Sequence, residues 1–294
     1  MSRAAHPAHL PSPVPPPKGR WHFVEPSALP GFGPAMGFTI AYLSFFLLLP
    51  LAALVLRPWE HGWDHVWKII SAPRTLDALK LSFGAAFFAA CVNAVFGTIV
   101  AWVLVRYDFM GRRLLDAFVD LPFALPTAVA GIALAAIYAP NGLVGKFFAP
   151  HDIMIAYTPI GVVIALIFVG FPFVVRSIQP VLEDMTVDVE EAAATLGAGR
   201  IRTIAQVVFP AIFPALTAGF SLSFARAVGE YGSVIFIAGN IQNVTEIAPL
   251  LIVMRLEEFD YAGAAAVGLI MLTLSIILIF VLNVIQTWVA RRGA

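Results

Sequence analysis

The chain has 294 residues, 60% of them hydrophobic and 12% charged, with a mean hydropathy of +0.88. Soluble domains carry roughly 45–50% apolar and about 25% charged residues, so a water-soluble fold of this length would run out of polar surface, and lipid must serve as solvent for most of the exterior. Zero formal net charge argues against a nucleic-acid partner, and a lone cysteine, Cys91, excludes an intrachain disulfide or a multi-cysteine metal site.

Residues 1–35 read as a disordered, aqueous tail, because nine prolines fall between positions 7 and 34. A cleaved signal would place a short apolar core there instead. Crossing a bilayer takes about 20 apolar residues, and six stretches qualify: 36–56, 81–105, 117–139, 154–175, 207–238 and 262–285. The spacing therefore predicts an all-α, polytopic membrane protein of six transmembrane helices. Four stretches carry no charge; the third holds Asp120 with Pro122 and Pro126, and the fifth holds Arg226 and Glu230. The proline-bearing stretches are expected to kink. With the N-terminus inside, the inner segments hold eleven Lys and Arg against six outside, which places both termini in the cytoplasm. Trp59, Trp63 and Trp67 recur every four residues after the first span, as in an amphipathic helix anchored at the interface.

The connection 177–206 is the longest on the inner side. Thr186 or Asp188 can cap a short helix there, with Glu190 and Glu191 in its first turn at the positive end of the dipole. Ala192, Ala193 and Ala194 propagate it, Gly197 and Gly199 end it, and a second short helix is expected from about Arg200 to Val208. Glu191-Ala192-Ala193, three residues, Gly197, nine residues, then Val207-Val208-Phe209-Pro210 resembles the EAA loop of ABC importer permeases. Val207 and Phe209 stand where that family usually has Ile and Leu. The resemblance implies a type I ABC importer transmembrane domain, MetI-like in fold, over 77–286. The first helix and outer loop then occupy 36–80, and a cytoplasmic C-terminus occupies 287–294. It also implies that Glu190, Glu191, Ala192, Ala193, Gly197, Val207 and Pro210 form the coupling segment that docks into an ATPase subunit.

In the fifth stretch Arg226 and Glu230 stand four apart, on one helix face and able to pair. Charges at such depth are costly and face the bundle or a wet cavity. Two readings stay open: Arg226 lines an anion pathway, or the pair is a structural brace. Gly219, Gly229, Gly232 and Gly239 allow close approach of another helix or a twin subunit. The segment 224–240, with its R-x-x-G-E-Y-G core, is similar to sulfate and molybdate permeases. So is the run from Asp120 to Gly131, with its two prolines. Arg255-Leu256-Glu257-Glu258-Phe259-Asp260-Tyr261 looks like the corresponding segment of the sulfate/thiosulfate permeases in particular. Glu257, Glu258 and Asp260 either contact a binding-protein lobe by charge complementarity or form a solvated loop.

No G-x-x-x-x-G-K-[ST] loop occurs, so ATP would be handled by a separate chain. No catalytic pair, metal ligand set or cofactor motif is present, and no histidine lies inside a span, which counts against an intramembrane hydrolase. What the resemblance implies is a channel-forming permease, not an enzyme. Its partners would be two copies of an ATP-binding-cassette ATPase, a second homologous permease, a periplasmic sulfate/thiosulfate-binding protein and membrane lipid. The alternatives are a molybdate or tungstate permease and, in another class, an ATPase-independent secondary transporter. The latter would lack a coupling helix and show an inverted repeat, of which none is visible.

Overall fold

A computed structural model describes residues 32–293; the Pro-rich tail up to residue 31 lies outside the described residues. The expectation that the tail continues to 35 is corrected. Helix α1 (Phe32–Leu43) begins earlier, with Pro34 in its first turn, where a missing N–H costs nothing. Packing divides the chain into a unit ending at Leu49 and a second unit, Pro50–Ala294. In the first unit α1 buries no residue, and Phe38, Tyr42 and Phe46 form an aromatic ladder at i, i+4 along one side, with centroids 6.2 and 4.7 Å apart. A π turn, Ser44–Leu48, follows, and then α2 (Leu49–Leu56).

In the second unit a 3₁₀ turn (Arg57–His61) leads to α3 (Trp63–Ile70), which buries Val66 and Ile69 and turns Trp63 and Trp67 outward. This is the amphipathic helix expected from the tryptophan spacing. The long helices are α4 (Pro73–Arg106), α9 (Pro159–Asp184), α12 (Phe209–Val228) and α15 (Tyr261–Gly293). Among the described residues five helical runs are long and apolar enough to cross a membrane: Phe32–His61, Pro73–Arg106, Pro159–Asp184, Arg200–Val228 and Tyr261–Val284.

The third expected span is not one helix. It is split into α5 (Arg112–Val119), α6 (Leu121–Ala124) and α7 (Thr127–Tyr138). Pro122 sits in the first turn of α6, and Leu125 is extended (ψ 134°) because the residue before a proline is pushed out of the helical region. The apolar helix left, α7, is 12 residues long, about 18 Å, short of the roughly 30 Å hydrocarbon core. After α7 come a one-turn α8 (Gly145–Phe148) and then α9, which continues through Arg176 to Asp184, nine residues past the expected end of the fourth span.

Helix α10 (Val187–Thr195) is the expected short helix of the inner connection. The second short helix is corrected: α11 (Arg200–Thr203), a π turn (Ile204–Val208) and α12 run on as one helical span. Both π turns end two residues before a proline, Pro50 and Pro210. Leu49 N–H bonds Ser44 O and Phe209 N–H bonds Ile204 O, each five residues back. A proline cannot donate, and its ring collides with the carbonyl four residues earlier. One extra residue in the turn moves that carbonyl aside, so the run Arg200–Val228 continues past Pro210. The fifth span then ends at Val228, ten residues short of expectation, and a turn leads to α13 (Val234–Ala238), then α14 (Ala248–Glu257) and α15.

The core is the mutual packing of α4, α9 and α12. Ala85, Ala86, Ala89 and Ala90 of α4 are buried against Val162, Ala165 and Leu166 of α9 and Phe224, Ala227 and Val228 of α12. Lipid gives apolar helices little reason to associate, so close backbone approach through small residues supplies the packing. Gly170 lies against Ser223 and Asn93, and Gly219 against Val174 and Ser177.

Candidate coupling helix and pathway cluster

Helix α10 ends in a Schellman arrangement. Gly197 has φ +83°, Gly197 N–H bonds Ala194 O and Ala198 N–H bonds Ala193 O, each at 3.0 Å. No atom lies within 4 Å of where a Gly197 Cβ would stand, so glycine is required there by conformation and not by crowding. At the other end Glu190 is drawn in: Arg106, the last residue of α4, meets its carboxylate at 2.9 Å. Arg106 also donates to Leu182 O and Met185 O, both at 3.0 Å, which caps the C-terminus of α9. Thr186 occupies the N-cap position without a side-chain cap bond. Glu191 and Ala192 are exposed, as is Pro210; Ala193 and Val207 are half-buried. Leu196 and Ile201, flanking the Gly197 turn, are 88% and 85% exposed.

Arg226 and Glu230 do pair, at 2.6 Å, but across the end of α12. Glu230 is 2% exposed and its other oxygen accepts from Ser233 N–H (2.8 Å) and Ser233 O–H (2.9 Å), at the start of α13. Both oxygens of this carboxylate are therefore engaged, one by Arg226 and the other by Ser233, and Glu230 braces the end of α12 against the start of α13. The Arg226 side chain stays 36% exposed, able to meet an anion. The turn is clamped by α7. A Cβ on Gly131 would overlap the Ser233 carbonyl oxygen, and one on Gly232 would overlap Thr127 Oγ1. Of the four glycines expected to admit another helix or subunit, three are used within the chain: Gly219 against α9, Gly232 against Thr127, and Gly239 (φ +70°) against Tyr157. Gly229 faces open space except for Ala225 O at 4.0 Å.

The acidic candidates separate. Glu257 and Glu258 are exposed, whereas Asp260 is the N-cap of α15, accepting from Gly263 N–H at 2.8 Å and pairing with Arg255 at 2.6 Å. Asp260 is thus corrected from a surface candidate to a structural one. Burial pushes its pKa up, but the Gly263 N–H and the Arg255 guanidinium outweigh that, and the net direction is downward. Its stabilising contribution is present above the ordinary carboxylate range and is lost only as pH falls through the lowered pKa. Asp260→Ala should lower stability by about 1 kcal/mol at neutral pH, read as a drop in melting temperature in detergent; an unchanged melting curve at pH 7 would contradict the cap. Glu246, just before α14, is likewise tied into the fold. It is buried and holds Arg74 through two bonds of 2.7 and 2.8 Å. Together with Ser82 Oγ accepting from Ala248 N–H (2.8 Å), this pins α14 to α4.

A second network was missed. Arg176 reaches Asp116 and Asp120, each at 2.6 Å, and so ties α9 to the broken segment α5–α6. The signal available was Asp120 alone in an apolar stretch, since a charge there needs a partner. Its partner lies 56 residues away, beyond any helical spacing.

The chain is a bundle of long apolar helices, interrupted by short ones and carrying an exposed α10. A family profile described as "Binding-protein-dependent transport system inner membrane component" matches residues 93–293. The chain belongs to that family of ABC importer permeases. It is 48% identical over 264 residues, 90% of this chain and 95% of the other, to the sulfate transport system permease protein CysT of Salmonella typhimurium. The CysT of Escherichia coli gives 47% over the same shares, and that of Synechococcus elongatus 46% over 86% of this chain and 91% of the relative. Among solved structures, a bacterial ABC transporter importing the acidic polysaccharide alginate superposes with a TM-score of 0.72 at 16% identity, covering 87% of this chain and 94% of that one. The MetNI methionine ABC transporter in an inward-facing conformation gives a TM-score of 0.54 at 16% identity, over 74% and 95%. These likenesses establish the MetI-like permease fold expected from the EAA loop.

Proposed function

We propose that this chain is one of two permease subunits of an ATP-driven importer carrying sulfate, and thiosulfate with it, across the bacterial inner membrane with both termini in the cytoplasm. The observation that carries the substrate is the 48% identity to a sulfate permease over nine-tenths of the chain. A molybdate permease is the lesser reading, because the 255–261 segment follows the sulfate pattern. Two copies of an ATPase would dock on the α10 segments of this chain and of its homologous partner, and a periplasmic binding protein would deliver the anion to the outer mouth, with Glu257 and Glu258 as contact candidates. Arg226, partly exposed beside the buried Glu230, would offer a passing anion one weak positive contact, a low-affinity path instead of a trap.

Two exposed apolar side chains, Leu196 and Ile201, bracket the Gly197 turn; burying each in a partner's groove is worth roughly 1.5–3 kcal/mol. They support the reading of this end of α10 as the docking face. Gly197→Asp should leave the chain in the membrane while lowering ATPase co-purification. The αL conformation costs a side chain about 1–2 kcal/mol, and the new carboxylate stands at the negative end of α10. Undiminished ATPase recovery with this variant would refute the docking assignment. For the function itself, labelled sulfate uptake should disappear when this chain is deleted, return on complementation, and be competed by thiosulfate more strongly than by molybdate. Uptake of sulfate that persists without the chain would overturn the substrate.

A further inference from the structure

Three helix ends meet on one guanidinium. Arg106 closes α4, caps the last carbonyls of α9 through Leu182 and Met185, and holds Glu190 in the first turn of α10. Its side chain is 11% exposed and lies 5.5 Å from the Trp102 ring centroid, so the fork is held by packing as well as by its bonds. A half-open pocket of about 410 Å³ lies alongside α10, lined by Trp102, Glu190, Ala194, Arg200, Thr203 and Val208. The other end of α10 is joined through Gly197–Gly199 to Arg200 and the span that follows. A push on α10 therefore reaches the bundle at two places, the backbone link into α12 and the Arg106 fork into α4 and α9.

We propose that Arg106 is the positioning residue that transmits movement of α10 to α4 and α9, with Glu190 as its handle. The proposal rests on the reading of α10 as the ATPase-docking helix. It reassigns Glu190, whose side chain is 23% exposed and turned onto Arg106, from the docking segment implied by the resemblance to transmission: Leu196 and Ile201 at the far end of α10 carry docking, and Arg106 with Glu190 carries transmission. Packed elements with two discrete arrangements pass motion through such fixed joints. Arginine fits the task because its planar fork reaches a carboxylate and two carbonyls at once, which a lysine cannot do.

The test uses the whole transporter, this chain with its second permease, ATPase and binding protein, in proteoliposomes. Arg106→Gln and Glu190→Gln should retain ATPase co-purification and at least half of the binding-protein-stimulated ATP hydrolysis, while substrate taken up per ATP falls about tenfold. Arg106→Lys should lie between, and the double variant should be no worse than Arg106→Gln alone, since both changes break one joint. If Arg106→Gln fails to assemble, Glu190→Gln decides by itself, because it leaves the α9 cap in place. An unchanged uptake-to-ATP ratio, or hydrolysis, assembly and uptake all falling in parallel, overturns the joint. A parent protein that recovers no ATPase at all takes down the docking reading, and this proposal with it. One that pumps a different oxyanion overturns only the proposed substrate, and the ratio is then read with that anion.

Discussion

Glu230→Ala should be a damaging single change, lowering stability by roughly 1–3 kcal/mol. The carboxylate is 2% exposed and divides its oxygens between Arg226 and the backbone and hydroxyl of Ser233. Removing it strands a guanidinium at membrane depth and releases the start of α13 in one step. Glu230→Gln keeps an acceptor for Ser233 and should lose less, while Arg226→Ala removes the more exposed partner. The measurement is the melting temperature of purified protein beside substrate uptake in cells. The brace reading requires Glu230→Ala to lose folded protein. Arg226→Ala leaves the 2% exposed carboxylate with Ser233 as its remaining partner, so it should lose folded protein as well. A Glu230→Ala protein that melts normally and fails only in transport would reverse the assignment and make Glu230 a pathway residue.

Gly131→Val should be comparably severe, at about 3 kcal/mol. A Cβ there would collide with the Ser233 carbonyl oxygen and stand 2.8 Å from Ser233 Cα. Those are backbone atoms of the turn that Glu230 holds, so neither partner can swing aside as a flexible side chain would. Helix α7 would have to slide away from α13, opening the seam between the short helix and the end of the fifth span. Gly84→Val makes the matched control, since nothing lies within 4 Å of its Cβ position. Melting temperatures of the two should separate clearly; equal values would mean that α7 does not clamp the turn.

Much of this architecture is legible in the residues because lipid enforces simple rules. Apolar length marks the spans. The Ala-rich segment closed by Gly197 marks α10, since only glycine takes φ +83° without cost. The prolines foretell where helices deviate, although not the form: Pro210 gives a π turn inside a continuous helix, whereas Pro122 and Pro126 divide a span into pieces. The difference lies in what covers the freed backbone groups, which is a tertiary property. Long-range ion pairs escape sequence reasoning for a related cause. Arg226 and Glu230 are four apart and visible as a pair, but Arg74–Glu246, Arg106–Glu190 and Arg176–Asp120 are joined across 172, 84 and 56 residues. A buried charge advertises that it needs a partner without saying which. Hence the acidic run near the last span reads as a surface, whereas Glu246 is buried on Arg74 and Asp260 is engaged as the cap of α15.

Arg106 also links the fold to its use. The three helices that pack most closely, α4, α9 and α12, form a body that can move as a unit because their contacts are small-residue surfaces without slack. Helix α10 borders a half-open pocket and is joined to the bundle at its ends, through Glu190–Arg106 and through the Gly197–Gly199 link, an attachment that suits the lever proposed above.

The claim on which the account rests is that α10 is grasped by a separate ATPase. Cys91 is the single native thiol and is half-buried within α4, so a Cys91→Ser background carrying Leu196→Cys places one reactive thiol at 88% exposure beside Gly197. In membranes holding the assembled transporter, a short bifunctional maleimide should join this thiol to the ATPase subunit, with a yield that changes when ATP is added. Free labelling of the thiol by a water-soluble maleimide, equal with and without the ATPase and with no cross-linked product, would contradict the account.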